Sequence, residues 1–167
     1  MLRKITFLIM DAEKSSCEEM QEFLQTKKAI VYTAHSAAEG QIMLNSKGID
    51  ILILDIFLPD ADGLILVNEY KTRYPELEVI LISGQGNMNS VIQAMHLGAL
   101  DFLIKPLRQS DLQGAIERTK KFRIEDKASF LMDVSTPHPD LTLTTYHRRK
   151  LLIPHSENHF RRSSYLK

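Results

Sequence analysis

The chain has 167 residues, 44% of them hydrophobic and 25% charged, which is the balance of a globular domain with an extension rather than of a fibre or a disordered polymer. Its 21 basic residues cancel its 21 acidic ones, which leaves no overall charge to argue for nucleic-acid binding. A single cysteine, Cys17, excludes an internal disulfide, and no apolar run approaches the ~20 residues of a membrane span.

The first predicted element is a strand, "ITFLIM" (5–10), which stops at Asp11. At six residues it is shorter than a signal-peptide core of about 7–15, so a cytoplasmic, reducing location is expected. Over 15–25, Cys17, Met20, Phe23 and Leu24 recur on one helical face, which makes Cys17 a buried thiol rather than a reactive one. "AIVYT" (29–33) is a second strand. "SAAEGQIMLNSKG" (36–48) is a second helix with Ser36 as its N-cap. "DILILD" (50–55) is a third strand, followed by a helix over 62–75 closed by Pro75. "EVILIS" (78–83), a helix in "NSVIQAMHLGA" (89–99), "DFLIK" (101–105) and a helix in "RQSDLQGAIERTKKF" (108–122), starting near Gln109 or Ser110, complete the series.

The third and fourth strands are continuous aliphatic runs, the pattern of strands covered on both faces. Five strand-then-helix units therefore predict an α/β fold, a doubly wound five-stranded parallel sheet with helices on both sides. Ligands bind such sheets beyond the carboxyl ends of the strands. That rule brings Asp11, Asp55, Ser83 and Lys105 to one rim. Two carboxylates, a hydroxyl and an ammonium suit phosphoryl transfer, in which an aspartate attacks phosphorus and charge neutralisation does most of the rest. Asp55 is expected to be exposed and rigidly placed, with Pro59 and a turn at Asp62-Gly63 following it. Oxygen ligands on the acidic side suit magnesium.

The segments "LIMDAE", "LILDIFLPDADG", "VILISGQGN" and "AMHLGALDFLIKPL" resemble the receiver domains of two-component response regulators, over about residues 3–124. The stretch "SGQGNMNSVIQAMHLGALDFLIKPL" is most similar to receivers of the nitrogen-regulation, enhancer-binding class. The resemblance implies a flavodoxin-like strand order 2-1-3-4-5 and a receiver domain over 1–126. It implies that Asp55 accepts a phosphoryl group from a histidine kinase or phosphotransfer protein, that Ser83 contacts that group, that Lys105 pairs with it ahead of a cis Lys105–Pro106 bond, and that Phe102 is the aromatic switch. It also implies Mg2+ held by Asp11, Asp55 and the backbone carbonyl of Phe57. A downstream protein, or a second copy in a homodimer, would read the face built from helix 4, strand 5 and helix 5. Such a domain catalyses only its own phosphoryl uptake and loss.

The chain departs from the family at Ala12, where a second acid normally binds the metal directly. A one-residue insertion after the first strand could bring Glu13 nearer, and reduced magnesium affinity is expected. The alternative is an atypical receiver, an interaction module that works without phosphorylation. His35 and His96 read as surface histidines. Residues 127–167 read as a flexible tail without a recognisable output domain; the net charge of −3 over 1–127 becomes +3 over 128–167. Its four histidines and its "HRRK" cluster make weak cases for zinc or nucleic acid. No membrane association is expected.

Overall fold

The computed structural model describes residues 4–85 and 88–119. Five strands, β1 (Thr6–Met10), β2 (Ile30–Ala34), β3 (Ile51–Asp55), β4 (Glu78–Ser83) and β5 (Asp101–Ile104), form one sheet in the order β2-β1-β3-β4-β5. Every pairing is parallel. Helices α1 (Lys14–Thr26), α2 (Ala37–Ser46), α3 (Gly63–Arg73) and α4 (Met88–His96) alternate with the strands. A fifth helix, α5, occupies residues 109–119. The expected fold and strand order are both observed. The tail expected over 127–167, with His138, His147, His155 and His159, lies outside the described residues. No helix among the described residues is long and apolar enough to cross a membrane.

The aliphatic runs are explained by the pleat, which sends alternate side chains to opposite faces. Leu8, Leu52, Leu54, Val79 and Leu81 face one side, where they pack with Leu44 of α2 and with Leu66, Val67 and Tyr70 of α3. Phe7, Ile9, Ile51, Ile53, Ile80 and Ile82 face the other, against Cys17, Met20 and Leu24 of α1 and Leu112, Ala115 and Ile116 of α5. Each such side chain contributes about 1.5–3 kcal/mol by leaving water. The edge strands β2 and β5 are only half covered, as their mixed composition requires.

The helix ends follow local chemistry. The Ser36 hydroxyl accepts the Glu39 N–H at the start of α2, and an Asp62 carboxylate oxygen accepts the Leu64 N–H at the start of α3. Asp62 is thus a helix cap, where the sequence suggested a turn. Gly63 behind it has its own necessity: a Cβ there would meet the Asp55 carbonyl oxygen at 2.6 Å. The chain leaves α4 through Gly98, whose φ of +92° favours glycine. α5 begins at Gln109, one of the two expected starting positions, and Arg108 is its N-cap. Its carbonyl accepts the Asp111 and Leu112 N–H groups, and its own N–H reaches the Asp111 carboxylate. That reciprocal arrangement with the third helical residue overrides the preference for a hydroxyl cap. β2 also lies one residue later than expected, because its hydrogen bonds run in register with β1 from Ile30 onward.

Candidate functional site

β3 and β4 end at Asp55 and Ser83 as expected, while β1 and β5 end at Met10 and Ile104. Asp11 and Lys105 are therefore the first loop residues, and the rim assembles from all four positions. Registers Met10↔Leu54, Asp55↔Ile82 and Ser83↔Ile104 bring the ends level.

Lys105 organises the site. Its Nζ lies 2.6 Å from Asp55 Oδ2 and 2.6 Å from Asp11 Oδ2. The Lys105–Pro106 peptide bond is cis, as the resemblance implied. Asp55 is buried, at 6% exposure, against the expectation of an exposed carboxylate. The reason is the covering lysine, together with the Phe57 N–H, which donates to Asp55 Oδ1 at 2.9 Å. Asp11 is buried more completely. Its Oδ1 accepts the Glu13 N–H at 2.9 Å. Its Oδ2 has the lysine close by but no aligned hydrogen-bond donor.

The electrostatics follow from burial opposed by the shared ammonium. For Asp11, desolvation pushes the pKa up but is outweighed by Lys105, the Glu13 N–H and Ser16, so the carboxyl sits below its usual value. For Asp55, desolvation is the larger effect; Lys105 and the Phe57 N–H offset only part of it, and its pKa is raised. Lys105 loses solvation too, yet its two carboxylate partners more than compensate and raise its pKa. The three groups act as one charged unit.

The remaining expected residues are placed less directly. The Glu13 carboxylate is exposed and turned outward; it comes within 4.0 Å of Lys105 Nζ, and it also accepts a hydrogen bond from the Ser15 hydroxyl. Glu13 thus reaches the lysine rather than joining the two aspartates. Ser83 is fully buried, but its hydroxyl is engaged with its own loop, donating to the Gln85 carbonyl and accepting the Gln85 N–H, both at 3.1 Å. Phe102 is half-buried on β5 against the leucine-rich core. The Phe57 side chain is 59% exposed, and its contribution to the site is backbone.

Two residues join the rim that sequence reasoning did not select. His35, read as a surface histidine, places Nδ1 3.0 Å from the Asp11 carbonyl oxygen. A carbonyl only accepts, so that nitrogen carries the proton. Asp60 takes the Ala37 and Ala38 N–H groups of α2 on its two carboxylate oxygens, at 2.7 and 3.0 Å. Neither contact has a local sequence signal, because the partners are 22–24 residues apart. Cys17 is buried as expected; desolvation, reinforced by Asp11, pushes its thiol up to about 11.

Among the described residues, no three His, Cys, Asp or Glu side chains are grouped to hold a metal ion. Magnesium does not demand three. It binds through one or two carboxylates and retains several waters. The buried Asp11 Oδ2, without an aligned donor and beside the ammonium that Asp55 shares, is the kind of hard oxygen that suits it.

The sequence model of the response regulator receiver domain matches residues 7–117. The response regulator protein PilR of Pseudomonas aeruginosa is 31% identical over 116 residues, 70% of this chain and 26% of that protein. The transcriptional regulatory protein ZraR of Salmonella typhimurium is 28% identical over 115 residues, 69% of this chain and 26% of that protein. The chain thus spans about a quarter of the length of these curated relatives. Among solved structures, a response regulator receiver domain protein from Clostridium thermocellum is 30% identical and superimposes with a TM-score of 0.66, covering 71% of this chain and 96% of that one.

Proposed function

The chain belongs to the response regulator receiver domain family of two-component systems, and we propose that it works as a phospho-accepting switch with Asp55 as the acceptor. The observation that carries this reading is the buried Asp55 carboxylate at the C-terminal rim of the sheet, held by Lys105 at 2.6 Å and by the Phe57 N–H at 2.9 Å. A carboxylate fixed on both oxygens presents a nucleophile in one orientation, which removes much of the entropic part of the barrier.

The donor in this reading is a phosphohistidine on a histidine kinase or phosphotransfer protein. An Asp55 oxygen forms a bond to phosphorus as the phosphorus–nitrogen bond breaks; the imidazole leaves with the bonding pair and picks up a proton, and an acyl phosphate remains. Lys105 stays cationic, since its pKa is raised, and moves from carboxylate to phosphoryl oxygen as negative charge arrives. Ser83 is free to exchange its Gln85 contacts for a phosphoryl oxygen, a reorientation of a single hydroxyl. Phe102 follows that reorientation, and the face of α4, β5 and α5 changes with it. That face already exposes Met88, Ile92, Met95 and Ile104, a surface for a downstream protein or a second copy.

Asp11, Asp55 and the Phe57 carbonyl are the groups that would hold magnesium, with Glu13 at the margin in place of the acid absent at Ala12. Bound there, Mg2+ supplies charge neutralisation for the phosphoryl oxygens. With a carboxylate missing from the usual set, its affinity is reduced. The receiver is assigned to residues 1–126.

Incubation with a small acyl-phosphate donor and saturating Mg2+, followed by intact-mass measurement, tests the proposal. A gain of one phosphoryl group that Asp55→Asn abolishes is expected; no gain would leave the interaction-module alternative.

A further inference from the structure

We infer that Asp60 is a positioning residue of the phospho-acceptor pocket, fastening the loop that carries Phe57 to the N-terminus of α2, which is in turn fastened to Asp11. The Asp60 carboxylate accepts the N–H groups of Ala37 and Ala38 at 2.7 and 3.0 Å. Those interactions hold its pKa below the usual carboxylate value. The residue before the cap, His35, holds the Asp11 carbonyl through Nδ1 at 3.0 Å, and its own N–H is taken by Glu39 Oε2 at 2.7 Å. The Asp11 N–H donates to the Ala34 carbonyl at 3.1 Å. The two loops that bring Asp11 and Phe57 to the rim thus share one anchor, the first turn of α2.

The contacts serve more than α2 itself. Intrahelical bonding in α2 begins with the Gly40 N–H donating to the Ser36 carbonyl, which leaves the N–H groups of Ala37, Ala38 and Glu39, and Ser36 already takes that of Glu39 through its hydroxyl. Asp60 supplies acceptors for the other two from a different segment, 22–23 residues away. A local residue would cap the helix equally well. An acceptor supplied by the β3–α3 loop also fixes that loop, whose other end is closed by Gly63 N–H donating to the Ile56 carbonyl at 2.8 Å. Pinned at Ile56 by the Gly63 N–H and at Asp60 by α2, residues 57–59 have little freedom to displace the Phe57 N–H from Asp55 Oδ1. In a pocket that lacks an acid at position 12, the placement of the remaining oxygens matters more. Its relevance to metal rests on the phospho-acceptor reading; the fastening itself does not.

The test compares Asp60→Ala with Ser36→Ala, which weakens the cap of α2 without touching the loop. Amide hydrogen exchange is read by NMR without metal, and Mg2+ affinity is read by calorimetry. Asp60→Ala is expected to speed exchange at Phe57 and Gly63 about tenfold, the scale of a lost helix cap, while Leu52 and Ile80 in the core keep wild-type protection. Ser36→Ala should leave Phe57 and Gly63 unchanged, and Asp60→Asn, which keeps one acceptor, should fall between. Mg2+ affinity should drop several-fold in Asp60→Ala alone. Unchanged exchange at Phe57 and Gly63, or equal acceleration in Ser36→Ala, overturns the inference. If wild-type protein binds no Mg2+, the magnesium reading fails, and the fastening is decided by the exchange data.

Discussion

Lys105→Met removes the ammonium from between two buried carboxylates, and the consequence can be worked from the geometry. Each Oδ2 lies 2.6 Å from Nζ, so the two oxygens are at most 5.2 Å apart. At an effective dielectric of about 20, two unit charges at that separation repel by about 3 kcal/mol. Removing one partner from a buried ionic cluster typically costs about 3–5 kcal/mol. The variant should therefore lose about 3 kcal/mol at neutral pH. With a urea dependence of about 2 kcal/mol per molar, that lowers the unfolding midpoint by about 1.5 M, followed by far-UV circular dichroism.

The pH dependence has a definite sign. Lys105 has a raised pKa in the folded state, so its contribution is complete below the ordinary value of 10.5 and disappears as pH rises through the folded value. Asp11 has a lowered pKa, so its contribution is present above 3.8 and disappears as pH falls through the folded value. Ionised Asp55, with a raised pKa, opposes folding, and acid relieves that opposition. The stability gap between wild type and variant should be widest between these limits and narrow at both extremes. Mg2+ should restore more stability to the variant than to wild type, because it no longer competes with the ammonium; at one hundred times its Kd the gain is about 2.7 kcal/mol. A variant as stable as wild type at pH 7, or one that Mg2+ does not favour, would refute the reasoning.

Three further outcomes are expected. Ala12→Asp should tighten Mg2+ binding about thirtyfold, since a carboxylate about 4 Å from a divalent ion contributes about 2 kcal/mol even at the dielectric of water; calorimetry measures it. Gly63→Ala should destabilise by about 1–3 kcal/mol in urea, because the new methyl group meets backbone at 2.6 and 2.7 Å rather than a side chain that can turn aside. Cys17, buried and with its thiol pushed up to about 11, should resist a disulfide-exchange reagent at pH 8 until the protein unfolds; rapid modification of the native protein would contradict that.

The sheet was readable from sequence because its signal is local. Runs such as Ile51–Leu54 and Val79–Ile82 are apolar at every position, and only a strand covered on both faces can bury them all. The pleat then divides these runs, in the structure, into a leucine-rich face and an isoleucine-rich face. Ser36 at the head of α2 was readable for the same reason. Features that depend on distant partners were not. Asp55 looked exposed because the side chain that covers it belongs to Lys105, 50 residues on. His35 looked idle because its partner is a backbone carbonyl, which leaves no trace in composition. Asp60 is one of two acids in the loop after β3, and nothing local separates it from Asp62, which caps α3 while Asp60 binds the N–H groups of α2. The place of Glu13 was not readable either: its N–H donates to Asp11 Oδ1, and its carboxylate stands 4.0 Å from Lys105 Nζ, a residue far away in sequence.

The measurement that bears most directly on the central claim is the location of the phosphoryl group. After treatment with a phosphodonor and Mg2+, borohydride converts an aspartyl phosphate to homoserine, and peptide mass mapping identifies the residue. The account predicts homoserine at position 55 and nowhere else. Homoserine at position 11, 60 or 62, or at none, would contradict it.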